Sequence, residues 1–181
     1  MYKYWFTADT HFGHANIIKY ANRPFKSEAE MNKALIENWN KVVQKDDIVF
    51  HLGDFCFGRN DYEFDAFFNQ LNGNIVFVKG NHDKLAWRNK HKFYAAHNSY
   101  YETEIDDIRI TLCHYAMRVW NKSHFGAYHL YGHSHGSLPD DPHSLSFDVG
   151  VDCHNYTPIS FERVKEIMSQ KVFKPIDHHG S

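Results

Sequence analysis

The sequence contains few cysteines, and their number is odd. Cys56, Cys113 and Cys153 are the three cysteines in 181 residues, and no two of them form a CxxC pair. Three distant cysteines are too few to cross-link a domain of this size. We therefore expect reduced thiols rather than a disulfide framework.

The sequence also lacks a long apolar run and an excess of positive charge. Its apolar stretches fall short of the ~20 residues that a helix needs to span a bilayer. The 20 Lys and Arg residues against 22 Asp and Glu residues give a net charge of −2, which argues against binding long nucleic acid or an anionic membrane by charge alone. Residues 1–6 lack the apolar core and cleavage site of a secretory signal. We expect a soluble, cytoplasmic protein.

Histidine, by contrast, is abundant, with 15 residues in the chain. Neutral imidazole is the commonest protein ligand for transition metals, so the composition indicates metal binding. Hydrophobic residues make up 43% of the chain and charged residues 23%, as in typical globular proteins. At ~150 residues per domain, the length predicts one domain over residues 1–174 and a flexible tail at 175–181.

Strand and helix patterns alternate in the first half of the chain. The patterns predict strands at 2–8, 47–52 and 74–79 and helices at 27–43 and 62–71. Ser27 and Glu30 form a capping box at the start of the first helix. Because this alternation is typical of parallel strands joined by crossovers, we expect the loops that follow the strands to lie at one edge of a sheet.

The second half of the chain is richer in strand patterns. We predict strands at 99–105, 108–114, 127–131 and 144–151 and a final helix at 160–169. Asp106 and Asp107 lie between the first two of these strands and indicate a hairpin turn. No repeat, low-complexity tract or linker divides the chain.

Five polar blocks follow the predicted strands. In chain order they are Asp9-Thr10-His11, Gly53-Asp54, Gly80-Asn81-His82-Asp83, His114 and Gly132-His133-Ser134-His135. Asp9 and His11 are two residues apart at a strand end, so their side chains point to the same side, as two ligands of one metal must. The blocks offer oxygen and nitrogen ligands, a set that suits Mn, Fe, Zn or Ni and differs from the thiolates of structural zinc sites. We interpret them as a catalytic metal site.

This ordered set closely resembles the calcineurin-like metallophosphoesterase superfamily, whose blocks are D-x-H, G-D, G-N-H-[DE], a lone H and G-H-x-H. All five blocks are intact between Asp9 and His135. The resemblance implies an α/β four-layer sandwich, in which two mixed β-sheets pack face to face with helices on both outer sides. Residues 9–14, 22–25 and 148–152 are similar to those of compact, cap-free bacterial and phage members.

The resemblance also implies a centre of two divalent metal ions. The first ion would be held by Asp9, His11 and His135, and the second by Asn81, His114 and His133. Asp54 would bridge both ions, and a hydroxide that they share would attack phosphorus in line. We expect Mn²⁺, with Fe, Zn or Ni as alternatives.

Two further residues of the third block take roles from the resemblance. His82 would protonate the leaving oxygen, and Asp83 would orient its imidazole through a carboxylate hydrogen bond. The alternative for His82 is that it only binds phosphate.

Four residues are candidates for substrate binding. His14, three residues after His11, is expected to line the substrate pocket, and the alternative is a hydrogen-bonded loop histidine. Arg23, Arg59 and Arg118 are candidates for a phosphate fork, and their alternative is a solvated surface charge.

The function that we expect from this resemblance is hydrolysis of small phosphodiesters. An intact His82 and the lack of an evident cap segment favour diesters over monoesters. The alternatives are a phosphomonoesterase (a protein or nucleotide phosphatase), a nuclease module, and a non-catalytic metal-binding scaffold. The nuclease alternative is weakened because the chain has no basic stripe, and the scaffold alternative because no ligand is missing. The expected partner is a small phosphate ester, with no membrane and no long nucleic acid.

Overall fold

The computed structural model describes residues 2–177, so most of the predicted tail, residues 178–181, lies outside the described residues. The strands are β1 Tyr4–Thr7, β2 Ile48–His51, β3 Asn74–Val78, β4 Ala95–His97, β5 Tyr100–Ile105, β6 Ile108–Cys113, β7 Tyr128–Tyr131, β8 Ser146–Asp148 and β9 Ile159–Ser160. The helices are α1 Ile17–Tyr20, α2 Glu28–Val42, α3 Asp61–Phe68, α4 Lys84–Arg88 and α5 Phe161–Ser169, together with the 3₁₀ helices Lys90–Lys92, Ser123–Phe125 and Val151–Cys153.

These strands form two mixed sheets. The first has the order β4-β3-β2-β1-β9, with β1 to β4 parallel and β9 antiparallel to β1. The second has the order β5-β6-β7-β8, with a β5–β6 hairpin followed by parallel pairs. The two mixed sheets with flanking helices confirm the predicted α/β fold class.

The two sheets bury apolar side chains against each other. Alternation along β1 sends Phe6 into the core between the sheets and Trp5 to the opposite face, against the helices. Phe6 stacks on Phe50 of β2 with ring centroids 5.1 Å apart, and α5 adds Phe161 to the same core. Each fully buried side chain of this kind contributes about 2 kcal/mol. This core holds the two sheets in a fixed relation, and therefore also the loops at their ends.

Helix α2 covers the outer face of the first sheet. Met31, Leu35 and Trp39 recur at helical spacing and are buried against that sheet. Ser27 caps the helix as predicted, because its Oγ accepts a hydrogen bond from the backbone N–H of Glu30. Among the described residues, no helix combines the length and the apolar character needed to cross a bilayer.

A non-regular segment covers the outer face of the second sheet. It runs over residues 115–127 and contains the 3₁₀ helix Ser123–Phe125. The buried His129 of β7 accepts a hydrogen bond from the backbone N–H of Met117 and packs against the Trp120 ring. One hydrogen bond and one ring contact to His129 therefore hold the start of the loop that follows His114.

Element bounds differ from the predictions mainly where side chains redirect the backbone. The strand predicted at 144–151 is only Ser146–Asp148, because the Asp148 carboxylate accepts a hydrogen bond from the N–H of Gly150 and turns the chain. The short elements α1, α4, β4 and β9 were not predicted, since two to five residues carry little periodicity. The predicted hairpin turn is confirmed, with φ of +51° and +62° at Asp106 and Asp107.

Candidate active site

The polar blocks lie at the carboxyl ends of strands β1, β2, β3, β6 and β7, which meet at one edge of the two sheets. Backbone contacts continue beyond the strand ends and tie these loops together. The N–H of His11 donates to the carbonyl of Asp54, and Ala8 pairs with Gly150 across the two sheets. The seven predicted ligands are consequently brought into one site.

Two clusters of potential metal ligands form there. Asp9, His11 and His135 make one cluster and Asp54, His114 and His133 the other, and within each cluster the ligand atoms lie within 4.8 Å of one another. Asp54 Oδ2 lies 3.5 Å from Nε2 of both His11 and His114, so this carboxylate stands between the clusters. The seventh predicted ligand, Asn81, joins the second cluster, because its Oδ1 lies 2.9 Å from His114 Nε2.

Five of these seven residues have left-handed backbone conformations. The φ angles are +58° at Asp9, +50° at His11, +55° at Asp54, +68° at His133 and +47° at His135. A non-glycine residue in this region costs about 1 kcal/mol or more, and such strain persists only where the surroundings impose it. The backbone strain at these five residues is therefore a cost of directing their side chains into the site.

The first cluster contains buried polar atoms without partners. Asp9 Oδ1 and both ring nitrogens of His11 have no hydrogen-bond partner within the described chain. Burial raises the pKa of Asp9 well above its usual range, with the neighbouring Asp148 and Asp54 adding to the effect. Burial also lowers the pKa of His11 and keeps its imidazole neutral. Unpaired carboxylate oxygen and neutral imidazole nitrogen fit a divalent cation.

Hydrogen bonds on the far ring nitrogens orient two of the histidines. His114 Nδ1 donates to the carbonyl of Leu52 at 2.8 Å, which leaves Nε2 as the lone-pair atom facing Asp54. His135 Nδ1 lies 2.7 Å from Asp152 Oδ2. Contacts of this kind fix the tautomer and orientation of metal-binding histidines. Both rings therefore present Nε2 for coordination.

Gly132, the first residue of the Gly132–His135 block, lies very close to Ala8 and Asp9. A Cβ on Gly132 would lie 2.5 Å from both Asp9 Oδ2 and the Ala8 side chain. The N–H of His133, next in the chain, donates to the same Asp9 oxygen at 2.8 Å. Glycine is required here because any side chain would displace the Asp9 carboxylate.

The structure corrects the prediction that Arg23 binds phosphate. Its side chain is buried and makes a bidentate ion pair with Asp152, with Nε–Oδ1 and Nη2–Oδ2 distances of 2.8 Å. The same guanidinium donates to the backbone carbonyls of Asp9 and Thr10. Arg23 therefore fixes the backbone of the Asp9–His11 loop. Through Asp152, it also fixes the orientation of the His135 ring.

The structure also corrects the role predicted for Asp83. Its carboxylate accepts three backbone hydrogen bonds, from the N–H groups of Asp54, Phe55 and Gly80, and none of these reaches the His82 imidazole. Burial raises the pKa of Asp83 to about 6, with the nearby Asp54 carboxylate as a further cause. Asp83 therefore links the loop that contains Asp54 to the loop that begins at Gly80. It positions Asp54 rather than His82.

His82 and His14 line an open cleft of about 870 Å³ that has the metal-ligand clusters at its base. The backbone N–H of His82 donates to Asp54 Oδ1 at 2.9 Å, and its ring centroid lies 5.9 Å from that of His11. The His14 ring stacks on Phe57, and its buried Nδ1 has no partner among residues 2–177. His14 therefore lies in the lining of the cleft, and its role in substrate binding stays a prediction.

Arg59 and Arg118 do not line this cleft. Both are exposed, and Arg118 lies on a separate cavity beside Trp120 and Leu138. The buried Arg23 is engaged by Asp152, whereas a phosphate-binding role for Arg59 and Arg118 stays a prediction that their positions outside the cleft do not support. Sequence reasoning missed the role of Asp152, although its position shortly after the β8 strand pattern was a usable signal.

The geometry agrees with comparison to known families. A model of the calcineurin-like phosphoesterase superfamily domain matches residues 3–146. The chain belongs to this superfamily. Superfamily membership makes the protein a hydrolase of phosphate esters from a metal-dependent family.

Relatives of this phosphoesterase occur in archaea, phages and bacteria. An uncharacterized protein of Methanocaldococcus jannaschii is 37% identical over an alignment of 190 positions that covers 98% of each chain. The Gene 66 protein of Mycobacterium phage L5 is 35% identical over 81 residues, 44% of this chain and 39% of the phage protein. The crystal structure of a protein of unknown function from Aquifex aeolicus superposes with a TM-score of 0.73 at 25% identity, covering 92% of this chain and 100% of the other. The phosphoesterase therefore shares its fold with similarly compact proteins.

Proposed function

We propose that this phosphoesterase hydrolyses small phosphodiesters with two divalent cations. Asp9, His11 and His135 would hold one cation, Asn81, His114 and His133 the other, and Asp54 would contact both. The observation that supports this proposal is the position of Asp54 Oδ2, 3.5 Å from a histidine nitrogen of each cluster. Two cations close together need an anionic ligand between them to offset their repulsion.

The chemistry divides between the cations and the chain. When bound, the cations supply Lewis-acid stabilisation of the phosphate oxygens and a water of lowered pKa as nucleophile. The exposed imidazole of His82 stands beside the ligand clusters and donates a proton to the leaving oxygen. Asp54 holds the His82 backbone N–H, so the general acid and the shared ligand are fixed relative to each other. The donor set of carboxylate, amide and imidazole favours Mn²⁺, with Fe, Zn and Ni as alternatives.

The charge of the cleft favours diesters over monoesters. None of the described residues that line the cleft is lysine or arginine, so the chain supplies no fixed cation for a second negative charge. A monoester is mostly a dianion at neutral pH, whereas a diester carries one charge. The cleft is also open to solvent, which leaves room for two ester groups.

Removing metal is expected to abolish hydrolysis. After dialysis against a chelator, activity on bis(p-nitrophenyl) phosphate should fall to background, because water activation and charge stabilisation are lost together. Mn²⁺ should restore the rate best, and calorimetric titration should give two ions per chain. Full activity after exhaustive removal, or saturation at one ion, would contradict the two-cation proposal.

A substrate panel tests the class of ester. With Mn²⁺ present, we expect kcat/KM for bis(p-nitrophenyl) phosphate and for cyclic nucleotides to exceed that for p-nitrophenyl phosphate by about 10-fold or more, equivalent to roughly 1.4 kcal/mol. Duplex DNA should be cleaved poorly, because the near-neutral chain offers no basic surface for it. A monoester that is turned over much faster than every diester would contradict the diester assignment. It would not contradict the proposed metal centre.

A further inference from the structure

Three ring side chains lie next to one another in the lining of the cleft, beside the metal-ligand clusters. This aromatic wall consists of His14, Tyr20 and Phe57. The rings of His14 and Phe57 are nearly parallel, with centroids 4.1 Å apart and an interplanar angle of 12°. Tyr20 stands edge-on to His14 at 6.3 Å, and Phe57 also contacts the His82 ring at 5.5 Å. The wall thus reaches from the surface to the proposed general acid.

The wall keeps large apolar faces in contact with water. Tyr20 is 75% exposed and Phe57 is 44% exposed, although nine of the other fourteen phenylalanines are buried. Exposed aromatic rings on a concave surface next to catalytic groups are a feature of ligand sites rather than of packing. Their flat faces suit a planar ring, which binds such surfaces by offset or edge-on stacking.

The rest of the cleft is polar but uncharged away from the ligand clusters. Asn16, Asn22, Ser134 and Ser137 contribute amide and hydroxyl groups to its lining, and lysine and arginine are absent from its described residues. Such groups hydrogen-bond to sugar hydroxyls and to the edges of a base, whereas a chain of several phosphates would need cationic partners. This lining favours a ligand with a neutral, planar organic part and a single phosphate over one with several phosphates.

We propose that the aromatic wall is the base-binding subsite of this enzyme and that its substrates are phosphodiesters of nucleosides. The inference deepens the proposed function, since it concerns the same cleft. The phosphate lies over the ligand clusters, and the heterocycle stacks on Phe57 and Tyr20. A base that stacks on one aromatic side chain gains roughly 5- to 150-fold in affinity.

Binding measurements isolate the contribution of the base. Adenosine 5′-monophosphate and ribose 5-phosphate carry the same phosphate and differ at C1′, where one has adenine and the other a hydroxyl, so the ratio of their dissociation constants measures the contribution of the base. By isothermal titration calorimetry on the Mn²⁺-loaded protein, we expect adenosine 5′-monophosphate to bind about 10-fold more tightly or better. Tyr20→Ala and Phe57→Leu should each reduce this ratio several-fold. Leucine keeps an apolar side chain at position 57 and removes the aromatic face.

Tyr62→Ala is the matched control, because Tyr62 is 83% exposed on α3 and does not line the cleft. Its ratio should equal that of the parent protein. Equal affinities for the two ligands, no binding of either, or a preference that survives both wall variants would overturn the inference. Diester hydrolysis without a base preference would disprove the subsite alone. A wall-dependent preference without hydrolysis of any ester would support the subsite and contradict the proposed function.

Discussion

Replacing Asp54 by alanine is expected to reduce diester hydrolysis by about 1,000-fold or more. The variant removes the carboxylate that stands 3.5 Å from His11 Nε2 and from His114 Nε2, so both proposed cation sites lose a ligand at once. A loss of several kcal/mol of transition-state stabilisation corresponds to this factor. His11→Ala removes a ligand from one cluster and should cost less. The comparison is made on kcat/KM with Mn²⁺ at saturation.

Measurements of metal binding distinguish the loss of a shared ligand from misfolding. Calorimetric titration should show weakened binding of both ions in Asp54→Ala and of one ion in His11→Ala, while thermal melts of the metal-free proteins establish that the fold survives. Asp54→Asn keeps the size of the side chain and the acceptor for the His82 N–H, and should still lose most activity. Asp46→Ala, on an exposed carboxylate, is the control with unchanged activity. Similar residual rates in Asp54→Ala and His11→Ala would show that Asp54 is not shared.

Replacing His82 by alanine is expected to slow substrates with poor leaving groups by about 10²–10⁴-fold. A departing alkoxide needs a proton, whereas p-nitrophenolate is stable without one, so the p-nitrophenyl ester should lose much less. His82 stands in the open cleft and uses only its backbone N–H to contact Asp54, so the substitution leaves that contact in place. Single-turnover rates for an alkyl or nucleoside diester and for bis(p-nitrophenyl) phosphate provide the comparison.

Two results would redefine the role of His82. Equal losses on both classes of leaving group, with kcat falling in step, would indicate a group that stabilises charge in the transition state independently of proton transfer. Loss of a metal ion from the variant would instead make His82 a ligand or a support for Asn81. His91→Ala is a suitable control, because this histidine is exposed on the 3₁₀ helix Lys90–Lys92, outside the cleft.

The sequence predicted the elements that carry strong periodicity. Helix α2 was recognisable from its capping box and from Met31, Leu35 and Trp39 at helical spacing. Both signals come from residues a few positions apart in the chain. The order of strands and polar blocks likewise identified the edge at which the site forms. Shorter elements such as α4 and β9 depend on tertiary contacts, and no local pattern distinguished them from loops.

Predictions about side-chain partners were less successful, and Asp83 and Arg23 show why. From the sequence, Asp83 was assigned to the neighbouring His82 and Arg23 to a phosphate group. In the structure, both side chains contact distant segments of the chain. Asp83 bonds to the backbone of Asp54, and Arg23 pairs with Asp152, 129 residues away. Both side chains are buried polar groups that must be satisfied wherever the fold places them. Their roles are consequently properties of the assembled loops.

The amino-acid sequence by itself determined which atoms are offered to a metal: the carboxylates, the asparagine and the histidines of five blocks that follow strands. The kinds of ligand atom available depend on residue type, which the sequence gives directly. Only the tertiary structure decided that His11 and His135 adopt left-handed conformations and that Phe57 and Tyr20 face the cleft. Backbone strain and side-chain direction result from contacts between residues far apart in the chain, and a local pattern contains no information about those contacts.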